Sequence, residues 1–246
     1  MRAAAEQHHP PTRWSGVGRL RPGLLEVEGP LGSLPRHAHH SVQVAIADRG
    51  AFVIEDGDGR RRRTTAAIVP AGRPHAFHAA EAWGRVAHVE PESSWGAELA
   101  SLVDEPDDAD AWHRAGQRWK DGRPQPPEEI GAGQPRHPGL AAALAVLRDD
   151  LDQRPVRLRD VAAAVHLSES RLSHLFAEEL GITFRAYVRW LRLLRATAAV
   201  AEGGSLTVAA HRAGFTDSSH LTRTCRRTFG SAPTAFGAIR WEIRAD

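Results

Sequence analysis

Two stretches in the second half of the chain share one pattern. Residues 206–231 read LTVAAHRAGFTDSSHLTRTCRRTFGS, and residues 158–182 read LRDVAAAVHLSESRLSHLFAEELGI. Each predicts a short alanine-rich helix, a tight turn and a second helix that ends at a glycine. Ser168 and Asp217 can cap the second helices, because their side chains accept hydrogen bonds from free backbone amides. This is the layout of a helix-turn-helix motif, whose second helix enters the major groove of DNA.

The residues between the two copies predict one long helix, from about Thr183 to Ala201. Its apolar side chains recur at helical spacing and its arginines fall elsewhere on the surface. Such a helix would hold the two reading helices apart, so that they enter major grooves about one turn, roughly 10–10.5 bp, apart. At the joint of each copy we expect a positive φ at His166 and Gly214, because glycine adopts it freely and histidine tolerates it better than most residues.

The C-terminal half resembles the AraC/XylS family of bacterial transcription regulators over about residues 138–240. The most specific part is AGFTDSSHLTR at residues 213–223, followed by FGSAP at residues 229–233. Two departures stand out: Cys225 replaces an aromatic residue that the family usually has, and His166 replaces the usual turn glycine of the first copy. The resemblance implies an activator or repressor that binds double-stranded DNA.

The resemblance also implies which side chains contact DNA. The first reading helix would present Ser170, Arg171, Ser173 and His174, and the second would present Ser218, Ser219, Thr222 and Arg223. Arg223 is the strongest candidate for a guanine contact, because a guanidinium can donate two hydrogen bonds to O6 and N7. Arg226 and Arg227 are better placed for phosphates. Since Glu178 and Glu179 end the first reading helix and would repel phosphates, we expect the second helix to supply most of the base discrimination.

The first part of the chain, from about Trp14 to Pro91, has the pattern of short strands. Alternating or β-branched runs are separated by turns rich in Gly, Asp and Pro, which is typical of a small barrel or jelly roll. Helical patterns follow at residues 95–102 and 110–119. We therefore expect two domains, β then α. Residues 14–120 would form a barrel with trailing helices, residues 121–137 a linker, and residues 138–241 an all-α domain with two helix-turn-helix motifs joined by a long helix.

Over about residues 30–90 the β-rich part resembles the cupin-type barrel that AraC-like chains often carry. Metal-binding cupins place His-x-His and a carboxylate on one strand and a further histidine after a Pro-x-Gly turn. Here His37 and His39 share one face of a strand, Gln43 occupies about the carboxylate's place, and His75 follows the turn. Imidazoles at this spacing suit a divalent transition metal such as zinc, nickel, copper or iron. The alternative is that these histidines line a pocket for a small organic effector, with no cofactor required.

Three aromatic residues of the β-rich part, Phe52, Phe77 and Trp83, are candidates for lining an effector pocket, with core packing as the alternative. The predicted helices between Trp95 and Trp119 lie where such regulators commonly dimerise. We therefore expect a homodimer, although the tryptophans of these helices could equally cover the barrel.

The charge of the chain is unevenly distributed. Residues 135–246 hold 16 of the 32 basic and 11 of the 30 acidic residues, a net charge of +5. Residues 1–134 hold the other 16 basic and 19 acidic residues, a net charge of −3. This division is expected where one half faces phosphates. A single cysteine, Cys225, excludes an intrachain disulfide framework and a cysteine-based zinc finger.

No apolar run approaches the roughly 18 residues of a membrane span, and the N-terminus lacks the apolar core of a secretory signal. We therefore expect a cytoplasmic protein without a membrane partner. The main alternative function is a metal-dependent cupin enzyme fused to a helical module, which would need a carboxylate where Gln43 stands. A helical domain that only binds other proteins is a second alternative, but it leaves the repeat and the uneven charge unexplained.

Overall fold

A computed structural model describes residues 14–122, 127, 130, 135–150 and 156–243. The strands are β1 (Ser15–Arg21), β2 (Leu24–Leu31), β3 (Leu34–His37), β4 (Val42–Arg49), β5 (Phe52–Glu55), β6 (Arg61–Thr64), β7 (Ala66–Val69), β8 (His75–Ala79), β9 (Ala82–Val89) and β10 (Ala238–Ile243). The α-helices are α1 (Ser94–Ser101), α2 (Ala109–Gly122), α3 (Pro138–Asp150), α4 (Leu158–Ala164), α5 (Glu169–Leu180), α6 (Phe184–Ala201), α7 (Leu206–Arg212) and α8 (Ser218–Phe229), and a 3₁₀ helix covers Pro233–Phe236.

The strands form two sheets, one in the order β10-β1-β2-β9-β4-β7 and the other in the order β3-β8-β5-β6. Their inner faces share a buried core, in which Phe52, Ile54 and Phe77 of the second sheet meet Val27 and Val86 of the first. Alternating apolar side chains on each strand build this core, because successive residues of a strand point to opposite faces. The sequence predicted a β-rich domain here, and the two sheets confirm it.

The predicted barrel does not close. Across the described residues, no strand pairing joins the two sheets. One of the two edge strands of the second sheet is β6, where Arg61, Arg62 and Arg63 are exposed. A charged edge resists further strand pairing, which is a physical reason for two open sheets in place of a closed barrel.

Two helices cover the larger sheet at the positions that the sequence predicted. Gly116 of α2 lies so close to the backbone of Ala66 and Ala67 that a Cβ atom there would collide with it. Trp112 and Trp95 are buried in the cores of this domain, and Trp112 Nε1 donates a hydrogen bond to the Pro106 carbonyl at 3.0 Å. These two tryptophans therefore cover the sheet and are not available to a dimer surface. The homodimer itself stays a prediction.

The helical domain has its own core, in which the apolar faces of α3, α5 and α6 meet. Leu144, Leu172 and Phe176 are almost fully buried there, and the ring of Phe176 lies 5.4 Å from Phe184 and 5.5 Å from Tyr187. The helical spacing of apolar residues in the sequence predicted these contacts, since residues three and four apart lie on the same face of a helix.

The turns and ends of the helix pairs follow the sequence prediction. His166 has φ +55° and Gly214 has φ +72°, both in the left-handed region expected at the two joints. The Ser168 hydroxyl accepts a hydrogen bond from the Arg171 amide at 3.2 Å, and the Asp217 carboxylate accepts one from the His220 amide at 2.7 Å. These caps set where α5 and α8 begin. Gly181 and Gly230, at φ +63° and +68°, end the same helices.

The end of the chain corrects the predicted all-α domain. Residues 238–243 form β10, which pairs in parallel with β1 of the N-terminal sheet. The indole ring of Trp241 on β10 packs against Gly18, where an added Cβ would lie only 2.5 Å from the ring. The sequence did not indicate this strand, because its pairing partner lies more than 200 residues away along the chain. The predicted linker, residues 121–137, lies partly outside the described residues, and α2 extends to its second residue.

Candidate DNA-binding surface and effector sites

The second helix of each pair exposes one face and buries the other. The side chains that the sequence predicted to contact DNA are exposed or half-buried: Ser170, Arg171, Ser173, His174, Ser218, Ser219, Thr222, Arg223, Arg226 and Arg227. On the opposite faces, Leu172 and Leu175 of α5 and Leu221 and Phe229 of α8 are buried. Helical periodicity thus separates a packing face from a polar face on both helices.

Two features near this surface were not predicted. Glu179, which the sequence placed among residues that would repel phosphates, accepts hydrogen bonds from the backbone amides of Arg136 at 2.7 Å and His137 at 3.1 Å. Its carboxylate therefore faces the start of α3. Cys225 is buried on α8, and burial raises the pKa of its thiol to about 12. The thiol consequently stays protonated and takes part in packing.

In the N-terminal domain, three histidines come together as the sequence predicted. His37 ends β3, His39 follows it, and His75 begins β8. All three are at most 5% exposed, and one ring nitrogen of each lies within 4.8 Å of the other two. Gln43 of β4 lies beside them, with its Oε1 atom 3.1 Å from His39 Nε2 and 3.3 Å from His75 Nε2.

The ring nitrogens of these histidines have backbone and side-chain partners. Each Nδ1 atom faces a backbone carbonyl: His37 faces Pro35 at 2.8 Å, His39 faces Ser41 at 3.1 Å, and His75 faces Arg73 at 2.9 Å. Because a carbonyl only accepts hydrogen bonds, His37 Nδ1 carries the proton, and its Nε2, which has no partner among the described residues, keeps the lone pair. His39 Nδ1 also lies 2.8 Å from the Ser41 hydroxyl, and the Nε2 atoms of His39 and His75 both face the Gln43 oxygen. Burial lowers the pKa of all three rings, to about 3 for His39, where the neighbouring His37 adds to the effect. The rings are therefore neutral, as metal ligands must be.

This arrangement fits a metal ion. Metal-ligating histidines usually donate their second ring N–H to a carbonyl or carboxylate, which orients the ring. In addition, His37 Nε2 is buried and has no hydrogen-bond partner among the described residues. Such an unpaired buried acceptor is costly unless something binds it. The residues that would hold the ion are His37, His39 and His75, together with Gln43, and the ion would act as a Lewis acid.

A cavity of about 480 Å³ lies between the sheet domain and the helical domain, next to His39 and His40. Three arginines line it: Arg73 from the turn before β8, Arg189 from α6 and Arg227 from α8. Arg189 and Arg227 form no hydrogen bond or ion pair with other described residues, and Arg73 pairs only through Nη1, with Asp107 at 2.9 Å.

The charges and the other lining residues of this cavity indicate which class of ligand it could bind. Burial and the nearby charge of Arg227 lower the pKa of Arg189, because two positive charges repel each other there. The rest of the wall is largely apolar and includes Ile182, Trp190 and Leu193. The cavity therefore combines excess positive charge with apolar surface, which suits an anion that has an apolar body.

The predicted aromatic pocket residues lie elsewhere. Phe52 and Phe77 stack on each other in the core, with ring centroids 4.5 Å apart. Trp83 is half-buried, with the Arg49 guanidinium 5.4 Å from its ring centroid. None of the three lines the 480 Å³ cavity or a smaller apolar cavity of about 60 Å³ between the domains. The strand positions of Phe52 and Phe77 direct their side chains into the core, and the position of Trp83 leaves its side chain partly exposed at the surface of the sheet.

Sequence reasoning missed two of the cavity arginines, Arg73 and Arg189, and assigned Arg227 to phosphate contact alone. Arg73 stands two residues before His75, inside the turn that the cupin resemblance singled out. The sequence indicated only that Arg189 lies away from the apolar face of α6. Neither observation could predict that Arg73 and Arg189 line the same cavity, because they lie more than 100 residues apart in the sequence.

Comparison with known proteins shows that the helical half of the chain is similar to helix-turn-helix proteins. Residues 161–238 match the family model of a helix-turn-helix domain. The chain is 32% identical over 109 residues to the HTH-type transcriptional regulator YpdC of Escherichia coli, and 34% identical over 110 residues to the regulatory protein Ada of Salmonella typhimurium. This region is an AraC-type helix-turn-helix domain. The matches cover 44% and 45% of this chain, but only 38% of YpdC and 30% of Ada.

A solved structure extends the similarity of fold beyond the AraC-type domain. ToxT of Vibrio cholerae superposes with a TM-score of 0.54, over 86% of this chain and 97% of ToxT, at 12% sequence identity. At that identity the match shows a shared fold: a sheet-rich N-terminal domain followed by a helical domain. Among the described helices, none combines the length and hydropathy that a bilayer-spanning segment requires.

A buried polar network joins the sheet domain to the AraC-type domain. Arg148 of α3 donates to Glu90 at 3.1 Å, and His40 lies 3.2 Å from Glu92. Burial, reinforced by the charge of Glu92, raises the pKa of Glu90 to about 7. The ring of Tyr187 on α6 packs against His40, with centroids 5.5 Å apart. Together with β10, this network holds the two domains against each other.

Proposed function

We propose that this chain is a sequence-specific DNA-binding transcriptional regulator whose N-terminal domain binds an effector. The observation that carries the proposal is the pair of helices α5 and α8, each exposing a polar face beside α6 while its apolar face is buried. The match of residues 161–238 to a helix-turn-helix family supports it. The same comparisons favour a regulator over the alternative of a cupin enzyme, since the relatives are named as regulators.

In finer detail, α4–α5 and α7–α8 would act as two helix-turn-helix motifs on one DNA duplex. Both pairs begin with a short helix and end with a longer capped helix, and α6 lies between them along the chain. Arg223 and Arg226 would contact a base and a phosphate, respectively. Arg227, which also lines the cavity between the domains, would contact phosphate when that face is open.

Selection from a randomised duplex library tests this function. We expect enrichment of a site with two half-sites about 10–10.5 bp apart, because each reading helix enters a separate major groove. Binding measured by gel shift should weaken steeply as salt increases, since each phosphate neutralised contributes about −0.9 to the slope of log affinity against log salt. Enrichment of no site, or binding that salt does not change, would contradict the proposal.

The cavity between the domains is the proposed effector site, and the proposed effector is an organic anion with an apolar body. The unpaired guanidinium groups of Arg189 and Arg227 and the apolar walls support this class. A volume of about 480 Å³ lies within the range of small-molecule sites, roughly 300–1,000 Å³. ToxT, which shares the fold, has been solved with (E)-4-(8-methylnaphthalen-1-yl)but-3-enoic acid bound.

Thermal unfolding with benzoate, hexanoate and decanoate tests the effector class. We expect at least one of these carboxylates to raise the Tm of the wild-type protein, because a ligand that binds only the folded state stabilises it. Arg189→Ala should abolish that shift. Arg185→Ala removes an exposed arginine from the same helix and is the matched control. Equal shifts in both variants, or no shift with any of the three acids, would rule out this site for carboxylates.

A further inference from the structure

The strand β10 forms one edge of the larger sheet. Its inner side pairs in parallel with β1, and no described strand pairs with its outer side. Arg240, Glu242 and Ile243 are exposed, and Ile243 exposes 41% of its surface although its side chain is apolar. A free sheet edge presents unpaired backbone N–H and C=O groups, which form a template for another strand. The outer side of β10 is therefore open to a further strand.

The other sheet edges are each protected from such pairing. All four residues of β7 are buried, and Gly116 of α2 lies against their backbone. On β3, Pro35 has no N–H to donate, and Gly230 at the end of α8 lies close to its carbonyl. β6 exposes three arginines, whose like charges repel a second copy of the same strand. Among the described edge strands, β10 thus lacks these forms of protection.

The sequence of β10 is complementary to itself when one copy is reversed. Residues 239–243 read Ile-Arg-Trp-Glu-Ile. When two such strands pair antiparallel about Trp241, Arg240 of each copy faces Glu242 of the other, and Ile239 faces Ile243. Opposite charges and aromatic rings directly across an antiparallel pair stabilise it, since their Cβ atoms are only about 4.5–5.5 Å apart. One register therefore gains two ion pairs, an indole pair and two isoleucine pairs.

Other registers lack this complementarity. A slip of two residues in one direction sets Arg240 opposite Arg240, and the same slip in the other direction sets Glu242 opposite Glu242. Like charges directly across a pair destabilise it. A slip of one residue turns the second copy over, so that the face with Ile239 and Trp241 continues into the polar face of the other copy. Charge and apolar pattern therefore select the register centred on Trp241.

We propose that the outer edge of β10 is a homodimer surface, on which β10 of a second copy of this chain adds antiparallel about Trp241. The larger sheet then continues through both copies, and the second copy covers Ile243. This places the expected homodimer at β10 and not at α1 and α2, where Trp95 and Trp112 are buried. The inference goes beyond the proposed function and does not depend on it, because each chain carries both α5 and α8 and one DNA site needs no dimer.

Analytical ultracentrifugation of the full chain without DNA tests the surface. We expect the wild type to sediment as a dimer at about 100 μM, where even a micromolar complex forms. Arg240→Glu sets glutamates opposite each other twice and should weaken dimerisation by about tenfold or more. It leaves the Arg19–Glu242 ion pair within the chain in place. Arg63→Glu makes the same charge change at the exposed edge strand β6 and should dimerise as the wild type does.

A mixture of two variants separates a lost contact from a damaged fold. Glu242→Arg alone sets arginines opposite each other and should also weaken dimerisation. When it is mixed with Arg240→Glu, each glutamate of one chain faces an arginine of the other, so a heterodimer should form. A misfolded edge could not regain binding in this way.

Three results would each overturn the proposal: a wild type that stays monomeric, an Arg240→Glu protein that dimerises as the wild type does, or a mixture that stays monomeric. Because the samples contain no DNA, these results count only against the β10 surface. A failure to bind DNA counts only against the proposed regulator.

Discussion

Replacing Phe176 by alanine is expected to destabilise the helical domain strongly. Phe176 has no exposed surface, and its ring packs against those of Phe184 and Tyr187 at 5.4 and 5.5 Å. Removing a fully buried phenylalanine side chain costs about 3–5 kcal/mol, through lost transfer free energy and the cavity left behind. Since a typical domain is stable by only about 5–15 kcal/mol, this change alone removes a large share of the stability. Chemical denaturation followed by circular dichroism measures the loss.

The matched control is Val208→Ala on α7. Val208 is 41% exposed, so its truncation removes little buried surface and should change the free energy of unfolding by less than about 0.5 kcal/mol. A Phe176→Ala protein that unfolds at the same denaturant concentration as the control would show that α5 does not pack as described. DNA binding should be lost together with the fold in Phe176→Ala.

Replacing Arg223 by alanine is expected to weaken binding to the selected DNA site by roughly 5- to 150-fold, equivalent to about 1–3 kcal/mol, without changing stability. Arg223 is exposed on α8, almost two turns after the Asp217 cap. Its side chain lies off the buried face of the helix, which contains Leu221 and Phe229. A base contact made by two hydrogen bonds is specific, so the variant should also discriminate less between bases at one position of the site. Gel-shift titration on the selected site and its single-base variants measures both effects.

Arg240→Ala is the control for charge. Arg240 is an exposed arginine on β10, so its removal lowers the net charge by the same amount, away from the reading helices. Arg226→Ala should weaken binding to every sequence alike and reduce the salt dependence by about one phosphate contact. Affinity of the Arg223→Ala protein equal to that of Arg240→Ala would mean that another side chain reads the base.

Much of the helical half could be predicted because its signals are local. The caps at Ser168 and Asp217, the glycines that end α5 and α8, and the positive φ of His166 each depend on residues a few positions away. The histidine cluster was also predictable in part. Strand alternation predicted that His37 and His39 lie on one side, although β3 ends at His37, and the resemblance to a known barrel brought in His75.

Local patterns indicated the helices, most strands and the apolar face of each, but not β10, because periodicity and capping act within one or two turns of chain. The folded structure was needed to show that β10 pairs with β1 and that Arg73 lines the same cavity as Arg189 and Arg227. Each of these contacts joins segments more than 100 residues apart. Their formation depends on how the two domains pack as whole surfaces, and no local pattern of residues records that packing.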